Sequence, residues 1–171
     1  MIRKAFVFVF LMLPFCAMAQ NDATIDSLIH AASGAEGIEQ ERLLNEALDL
    51  ASRSDSATLV STVDAVTALT TASKVGHRIK YYQARWLGRN GSTEEQVYQW
   101  LDLSNVLPDE GDPELRFLVP FITGNAYLGL GSLDKAIAYG LDALKAASRT
   151  DEPLDSIDAL NMIGEAYRAK R

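Results

Sequence analysis

Apolar residues recur three or four positions apart along most of the chain, which is the spacing of one face of a helix. After Gln20, no stretch alternates apolar and polar residues for long enough to predict a strand. Stop signals such as Gly34, Asn90-Gly91 and Pro108 separate the apolar stripes. The pattern predicts an all-α protein with stripes at Ile25–Ala32, Leu43–Ala51, Leu59–Leu69, Ile79–Trp86, Val97–Val106, Leu115–Ala126, Ile137–Leu144 and Ile157–Tyr167.

The stretch from Ala57 to Arg89 is open to two interpretations. It is 33 residues long, whereas helices in globular proteins average about 11–12 residues. It forms either one long helix or two helices with a break near residues 74–77, where Gly76 is the natural stop. We favour the break.

The N-terminus has the features of a secretory signal. Arg3 and Lys4 precede an uninterrupted apolar run from Ala5 to Phe15, and Ala17-Met18-Ala19 supplies small residues for signal peptidase. We therefore predict a signal peptide over residues 1–19, with Gln20 as the first residue of the mature chain. The apolar run is shorter than the roughly 20 residues that span a bilayer.

Two other interpretations of this segment are weaker. An uncleaved membrane anchor is disfavoured by the well-placed Ala-Met-Ala site. A lipoprotein modified at Cys16 is disfavoured because Pro14 and Phe15 occupy places where small residues are expected. We therefore expect export to the periplasm or the medium of a Gram-negative bacterium.

Composition narrows the function further. The 171 residues include 16 Lys and Arg against 23 Asp and Glu, a net charge of −7 that argues against a nucleic-acid binder. Removal of Arg3 and Lys4 makes the chain more acidic, so we expect no binding to anionic membranes after cleavage. The single Cys excludes a disulfide scaffold and a Cys-rich metal site, and the mature chain without Cys suits an oxidising compartment.

The sequence resembles itself when it is shifted by 40 residues. The coincident residues include turn signals, prolines that follow an acidic residue, and a small–aromatic pair. The four coincidences are Gly124-Asn-Ala-Tyr127 with Gly164-Glu-Ala-Tyr167, Gly91-Ser92 with Gly131-Ser132, Leu101-Asp102 with Leu141-Asp142, and Pro113 with Pro153.

The segment from Gly124 to Leu144 resembles a tetratricopeptide repeat of an exported bacterial protein. Gly124, Tyr127, Leu130-Gly131, Ala136 and Ala143 fill the small, aromatic and turn positions of that family's pattern. The period of 40 exceeds the usual value of about 34, which corresponds to a longer variant of the repeat. The resemblance implies a right-handed α-solenoid of antiparallel helix pairs, with degenerate repeats over residues 20–76 and clearer repeats over residues 77–171.

The resemblance also assigns roles in helix packing. Gly124 and Ala136 would lie where two helices cross closely, Tyr127 would fill the space beside them, and Gly131 would turn the chain. Ala143 takes another small position, and Gly164 and Tyr167 begin a second copy.

We further predict that the final helix is a single C-terminal cap. Its stripe of Ile157, Leu160, Ile163 and Tyr167 would be buried on the preceding pair, and Asp158, Glu165, Arg168 and Lys170 would face water.

In tetratricopeptide repeats the first helix of each pair lines the concave, ligand-binding face. By that resemblance the peptide-binding residues would be Phe121, Asn125, Leu128, Asn161, Glu165 and Arg168. We therefore predict a monomeric scaffold that binds a protein or peptide. The alternative is a truncated or split sensory module of a bacterial signalling protein.

Residues for catalysis or metal binding are sparse, and we predict neither an enzyme nor a cofactor. His30 and His77 are far apart, and the acidic stretch Asp109–Glu114 lacks the ligand spacing of a calcium loop. A basic run interleaved with aromatic residues could instead recognise an acidic partner or a C-terminal carboxylate, although a solvated helix face is the favoured interpretation. The run comprises Lys74, His77, Arg78, Lys80, Arg85 and Arg89, with Tyr81, Tyr82 and Trp86.

Overall fold

The computed structural model describes residues 21–91, 93–107, 112–150 and 152–171. These residues form eight helices and no strand, which confirms the prediction of an all-α protein. The helices are α1 (residues 21–33), α2 (Gly37–Ser52), α3 (Ser56–Leu69), α4 (Ser73–Asn90), α5 (Thr93–Val106), α6 (Pro113–Gly129), α7 (Leu133–Ala147) and α8 (Pro153–Ala169). The predicted signal peptide lies outside the described residues.

The long stretch from Ala57 to Arg89 is two helices, but the break is not at Gly76. Helix α3 ends at Leu69, and Thr70 adopts an extended conformation with φ −152° and ψ 145°. The hydroxyl of Thr70 accepts a hydrogen bond from the amide of Ala72, a local bond that competes with helix continuation. Gly76 instead lies in the first turn of α4, where its amide donates to the carbonyl of Ala72. The helix therefore ends at Leu69, several residues before the stop expected at Gly76.

The chain divides into two compact units, one ending at Tyr82 and the other spanning Gln83–Arg171. The boundary lies within α4, as does the boundary predicted between residues 76 and 77. In the first unit, α2 packs on α3, and fully buried Leu44 and Leu48 contribute to its core. Gln40 Nε2 donates to the carbonyl of Ala32, which links the start of α2 to the end of α1.

The second unit contains a succession of packed helices. Helix α5 packs on α6, α6 on α7, and α7 on α8, and α6 also contacts α8. The turn between α6 and α7 is built on Gly131, whose φ of +71° is readily adopted only by a residue without a Cβ. The amide of Ser132 donates to the carbonyl of Tyr127 and closes the end of α6.

Helices α6 and α8 begin in the same way, as their 40-residue spacing predicts. Pro113 and Pro153 stand in the first turn, where a missing N–H costs nothing. The acid before each proline caps its helix: Asp112 accepts from the amides of Glu114 and Leu115, and Glu152 accepts from the amide of Leu154.

Small residues, rather than the largest apolar ones, make the buried faces of the last two helices. Helix α7 buries Ala136, Gly140, Ala143 and Ala147 beside Ile137, while Leu141 is 53% exposed. Helix α8 buries Ala159, Met162, Ile163 and Ala166.

The predicted face of the terminal cap is therefore wrong in three of its four residues. Ile163 is buried, but Ile157, Leu160 and Tyr167 are each more than half exposed. The helix docks through a neighbouring face that includes Ala159 and Ala166, because the small alanine side chain allows the backbone of α8 to approach α7 closely.

Gly124 lies where α6 meets both α7 and α8. A Cβ added there would lie 2.8 Å from Cε and Sδ of Met162 and 3.3 Å from the carbonyl oxygen of Ala136. A Cβ added at Gly164, the equivalent position 40 residues later, would meet nothing within 4 Å. The same residue type thus serves a tight crossing in α6 and an open surface in α8.

We expect Gly124→Leu to lower the free energy of unfolding by about 1–3 kcal/mol or more, because the added side chain overpacks the crossing. Gly164→Leu is the matched control. It should leave the free energy unchanged or raise it by up to about 1 kcal/mol, because leucine favours the helix and the space is open. Urea denaturation followed by circular dichroism measures both, and equal stabilities of the two variants would contradict the close crossing at Gly124.

Candidate functional site

The predicted peptide-binding residues of α6 share one side of that helix. Phe121 is half-buried, and its ring stacks on Phe117 with 5.3 Å between centroids. Asn125 is exposed, and its Nδ2 donates to the carbonyl of Phe121 at 3.1 Å. Leu128 is half-buried against a cluster that includes Tyr127 and Ala136. The stripe therefore presents an exposed amide oxygen between two partly covered apolar side chains.

The corresponding residues of α8 are all exposed. Arg168 lies 3.7 Å from the carboxylate of Glu165 in a loose ion pair, and Asn161 stands one turn before that pair. Because α6 contacts α8, both stripes belong to one packed unit. The α8 stripe is polar throughout, in contrast to the mixed stripe of α6.

Most of the predicted repeat-packing residues are buried around the junction of α6 and α7. Ala136 and Ala143 are fully buried. The ring of Tyr127 stacks on Tyr139 with 5.6 Å between centroids, and Lys135 Nζ lies 4.8 Å from the centroid of Tyr127. Gly164 and Tyr167 differ from this pattern, since both are exposed. No described helix covers them, so the close packing expected of that pair is not found among the described residues.

The aromatic residues of the basic run are largely structural. Tyr81 and Tyr82 are buried and meet edge to face with 5.0 Å between ring centroids. The tyrosines therefore serve the core of the first unit rather than an aromatic recognition surface. Among the basic residues of the run, Lys74 forms an ion pair, since its Nζ lies 2.8 Å from the carboxylate of Glu41.

A small cavity of about 180 Å³ lies beside the start of α4 in the first unit. Lys74, Arg78 and Asn45 are among the residues that line it. Asn45 Oδ1 is buried and accepts no hydrogen bond among the described residues. A bound water molecule could satisfy this oxygen, because a cavity of this size easily accommodates one.

A larger groove of about 580 Å³ lies in the second unit and was not predicted. Residues from three successive helices line it: Ser104 and Leu107 at the end of α5, Arg116, Val119 and Pro120 in α6, and Tyr139, Asp142, Lys145, Ala146 and Arg149 along and just beyond α7. Its size falls in the range of small-ligand sites, about 300–1,000 Å³. Three cationic side chains and one carboxylate give it a positive balance in an acidic chain.

Apolar and polar side chains both line the groove. Pro120 lacks an N–H and so cannot donate the usual helix hydrogen bond to the carbonyl four residues earlier. Burial raises the pKa of the Tyr139 phenol above its usual value, and the nearby Tyr127 and Asp142 raise it further. The phenol therefore stays protonated at neutral pH, where it is a hydrogen-bond donor.

One signal in the sequence could have indicated part of this groove. Tyr139, Asp142, Ala146 and Arg149 are spaced as one side of a helix that continues the direction of α7. The contributions of α5 and α6 depend on how these helices pack, which the spacing within one helix does not reveal.

In the part of the chain that the structure describes, no three His, Cys, Asp or Glu side chains are grouped so as to hold a metal ion. None of the described helices combines the length and apolar character needed to cross a bilayer.

Comparisons of the chain with known protein families, with curated proteins and with solved structures give no significant match.

We expect Asp142→Asn to lower the pKa of Tyr139. The phenolate is repelled by the Asp142 carboxylate, so removal of that charge favours the ionised phenol. Ultraviolet absorbance titration measures the shift, and the Tyr139→Phe variant identifies which transition belongs to Tyr139.

Asp158→Asn provides the control, because Asp158 is an exposed carboxylate on α8 and does not line the groove. A titration curve in which Asp142→Asn and Asp158→Asn coincide would show that Asp142 does not act on Tyr139.

Proposed function

We propose that this chain is an exported scaffold, similar to tetratricopeptide repeats, that binds a protein or peptide and does not catalyse a reaction. The observation that supports the proposal is the recurrence of accessible side chains at repeat-equivalent positions. Two helices in contact, α6 and α8, carry a side-chain stripe at the same positions of a 40-residue repeat.

A right-handed solenoid of antiparallel helix pairs is the architecture that we propose for the second unit. Helices α5 to α8 pack in sequence order, which is typical of repeat proteins. Helices α6 and α8 each have 17 residues, and both begin with an acid–proline cap. The close crossing at Gly124 supports the same arrangement, because it involves the next helix and the one after it.

The stripe chemistry suits an extended peptide. Amide side chains such as Asn125 and Asn161 can both donate to and accept from a peptide backbone. Phe121 and Leu128 offer apolar contact beside them, while Glu165 and Arg168 add charges of opposite sign. Because these residues are exposed or half-buried, a ligand can reach them without rearrangement of the core.

The test begins with selection of peptides from a displayed random library against the purified protein. For a selected peptide, we expect Asn125→Ala and Asn161→Ala each to weaken binding about fivefold, equivalent to one hydrogen bond of about 1 kcal/mol. Isothermal titration calorimetry measures the affinities.

Asn105→Ala is the matched control, because Asn105 is an exposed asparagine on α5 outside the stripe. Its affinity should equal that of the parent. Selection of no peptide, or equal losses in all three variants, would contradict the proposed binding face.

Export is the second part of the proposal, and it rests on the N-terminal sequence. The positive start, the apolar run and the Ala17-Met18-Ala19 site are the features that a signal peptidase substrate requires. The chain that follows contains no Cys, so it would carry no thiol into an oxidising compartment.

We expect the protein isolated from its native host to begin at Gln20. Intact-mass and N-terminal peptide mass spectrometry measure this directly. Ala19→Arg should block the cleavage, because signal peptidase needs a small residue at that place. Detection of Met1 or of a lipid on Cys16 in the parent protein would overturn the assignment.

A further inference from the structure

The groove of about 580 Å³ that α5, α6 and α7 line has no part in the function proposed above. It shares no residue with the stripes of α6 and α8 that we assign to peptide binding. Each of its three helices is followed in the chain by another described helix, so the groove lies within the run of helices and not at its end. Its volume and its mixture of apolar and polar side chains are typical of a binding site.

Positive charge is concentrated at one end of the groove. Lys145 stands in the last turn of α7 and Arg149 just beyond that helix, and both side chains are exposed. Arg116 belongs to the same end, because the next residue, Phe117, shares a cluster with Ala147. The C-terminus of α7 contributes about half a negative charge, which these full positive charges outweigh. This end therefore attracts an anion, although the whole chain has a net charge of −7.

The other end of the groove differs in charge and in hydrogen bonding. Tyr139 lies six residues before Lys145, about 9 Å along a helix that rises 1.5 Å per residue. Its half-buried phenol can donate a hydrogen bond to a carbonyl oxygen. Asp142 lies beside this end and would repel a carboxylate there. The groove thus favours a ligand whose negative groups lie at one end and whose neutral acceptor lies at the other.

The length of the groove favours an extended ligand. Tyr139 and Arg149 are ten residues apart, about 15 Å along the direction of α7. A chain in the extended conformation covers about 3.3 Å per residue, so four or five residues would span this distance. Side chains at alternate positions of such a chain lie about 6.6 Å apart on one side, close to the rise of about 6 Å between Lys145 and Arg149. A small dicarboxylate would reach the positive end alone.

We propose that this groove binds an extended acidic peptide segment that carries two carboxylates at alternate positions. The carboxylates pair with Lys145 and Arg149, and Arg116 adds to the attraction. The phenol of Tyr139 donates to a backbone carbonyl of the same segment. The aliphatic parts of the peptide contact the apolar lining residues Leu107, Val119, Pro120 and Ala146.

The test uses the synthetic peptide acetyl-Gly-Glu-Leu-Glu-Gly-amide and the purified full chain at low ionic strength, where screening is weak. Nuclear magnetic resonance titration of the ¹⁵N-labelled protein measures the affinity and identifies the amides that shift. We expect saturable binding with shifts at the groove residues. The same peptide with Gln in place of both Glu residues should bind at least about tenfold more weakly, because it lacks the charges that pair with the cations.

Lys145→Gln should weaken binding of the acidic peptide about threefold, since an exposed ion pair is worth less than a buried one. Addition of Arg149→Gln should bring the loss to about tenfold. Lys135→Gln is the matched control, because Lys135 is an exposed lysine of the same helix that does not line the groove. It removes the same charge from the protein and should leave the affinity close to that of the parent.

Two further variants separate the groove from a merely charged surface. Tyr139→Phe should weaken binding about fivefold, equivalent to the loss of one hydrogen bond. Asp142→Asn should strengthen it about twofold, because the carboxylate that repels the peptide is gone.

Equal affinities for the Glu and Gln peptides would overturn the proposal, and so would equal losses in Lys145→Gln and Lys135→Gln. Binding that Asn125→Ala weakens and Lys145→Gln leaves unchanged would place the peptide on the α6 stripe. That result would overturn this proposal and support the function proposed above, so the two can fail separately.

The same titration identifies two other occupants. Glutarate that binds as tightly as the peptide would make a small dicarboxylate the ligand. Asp109 and Glu110 follow Leu107 closely in the sequence. A gain of more than about tenfold in peptide affinity on combining Asp109→Asn with Glu110→Gln would make this segment of the same chain the occupant. Either result would overturn the proposal.

Discussion

The close approach of α6, α7 and α8 through small residues is the constraint on which the second unit depends. Gly124 meets Met162 and the backbone at Ala136, and a Cβ at Gly140 would lie 2.6 Å from Ile163. Each missing side chain brings two helices nearer and increases the number of atoms in van der Waals contact. The spacing of the helices, and with it the relative position of their surface stripes, follows from this steric fit.

This constraint explains which parts of the fold the sequence could reveal. The number of helices and their starts follow from local signals, such as the acid and proline at Asp112-Pro113, which act within one turn. The turn at Gly131 is equally local. The buried side of α7 is not determined by local signals. Hydrophobicity alone favours burial of Leu141, whereas the packing of the helices buries Ala143. The repeat resemblance, by contrast, had assigned Ala136 and Ala143 to close-packing positions, and both are buried.

The candidate sites also differ in whether one helix or several helices form them. The stripes on α6 and α8 could be inferred from the sequence, because the spacing within one helix determines which residues share a side. The groove between Pro120 and Tyr139 could not, because three helices contribute to it and its shape depends on their distances. The exposure of Tyr167 was also missed, since the repeat pattern alone predicts that both tyrosines of the equivalent pairs are packed.

The acid–proline caps have a consequence for how this chain tolerates change. Proline cannot donate an N–H to an upstream carbonyl, so a helix that begins at Pro113 or Pro153 is not readily lengthened toward its N-terminus. The register of α6 and α8 is thus set within their own first turns. Insertions and deletions in the connection that precedes either cap would change the loop and leave the helix in phase with its neighbours. Such a chain can diverge rapidly in its connections while the contacts at Gly124 are preserved.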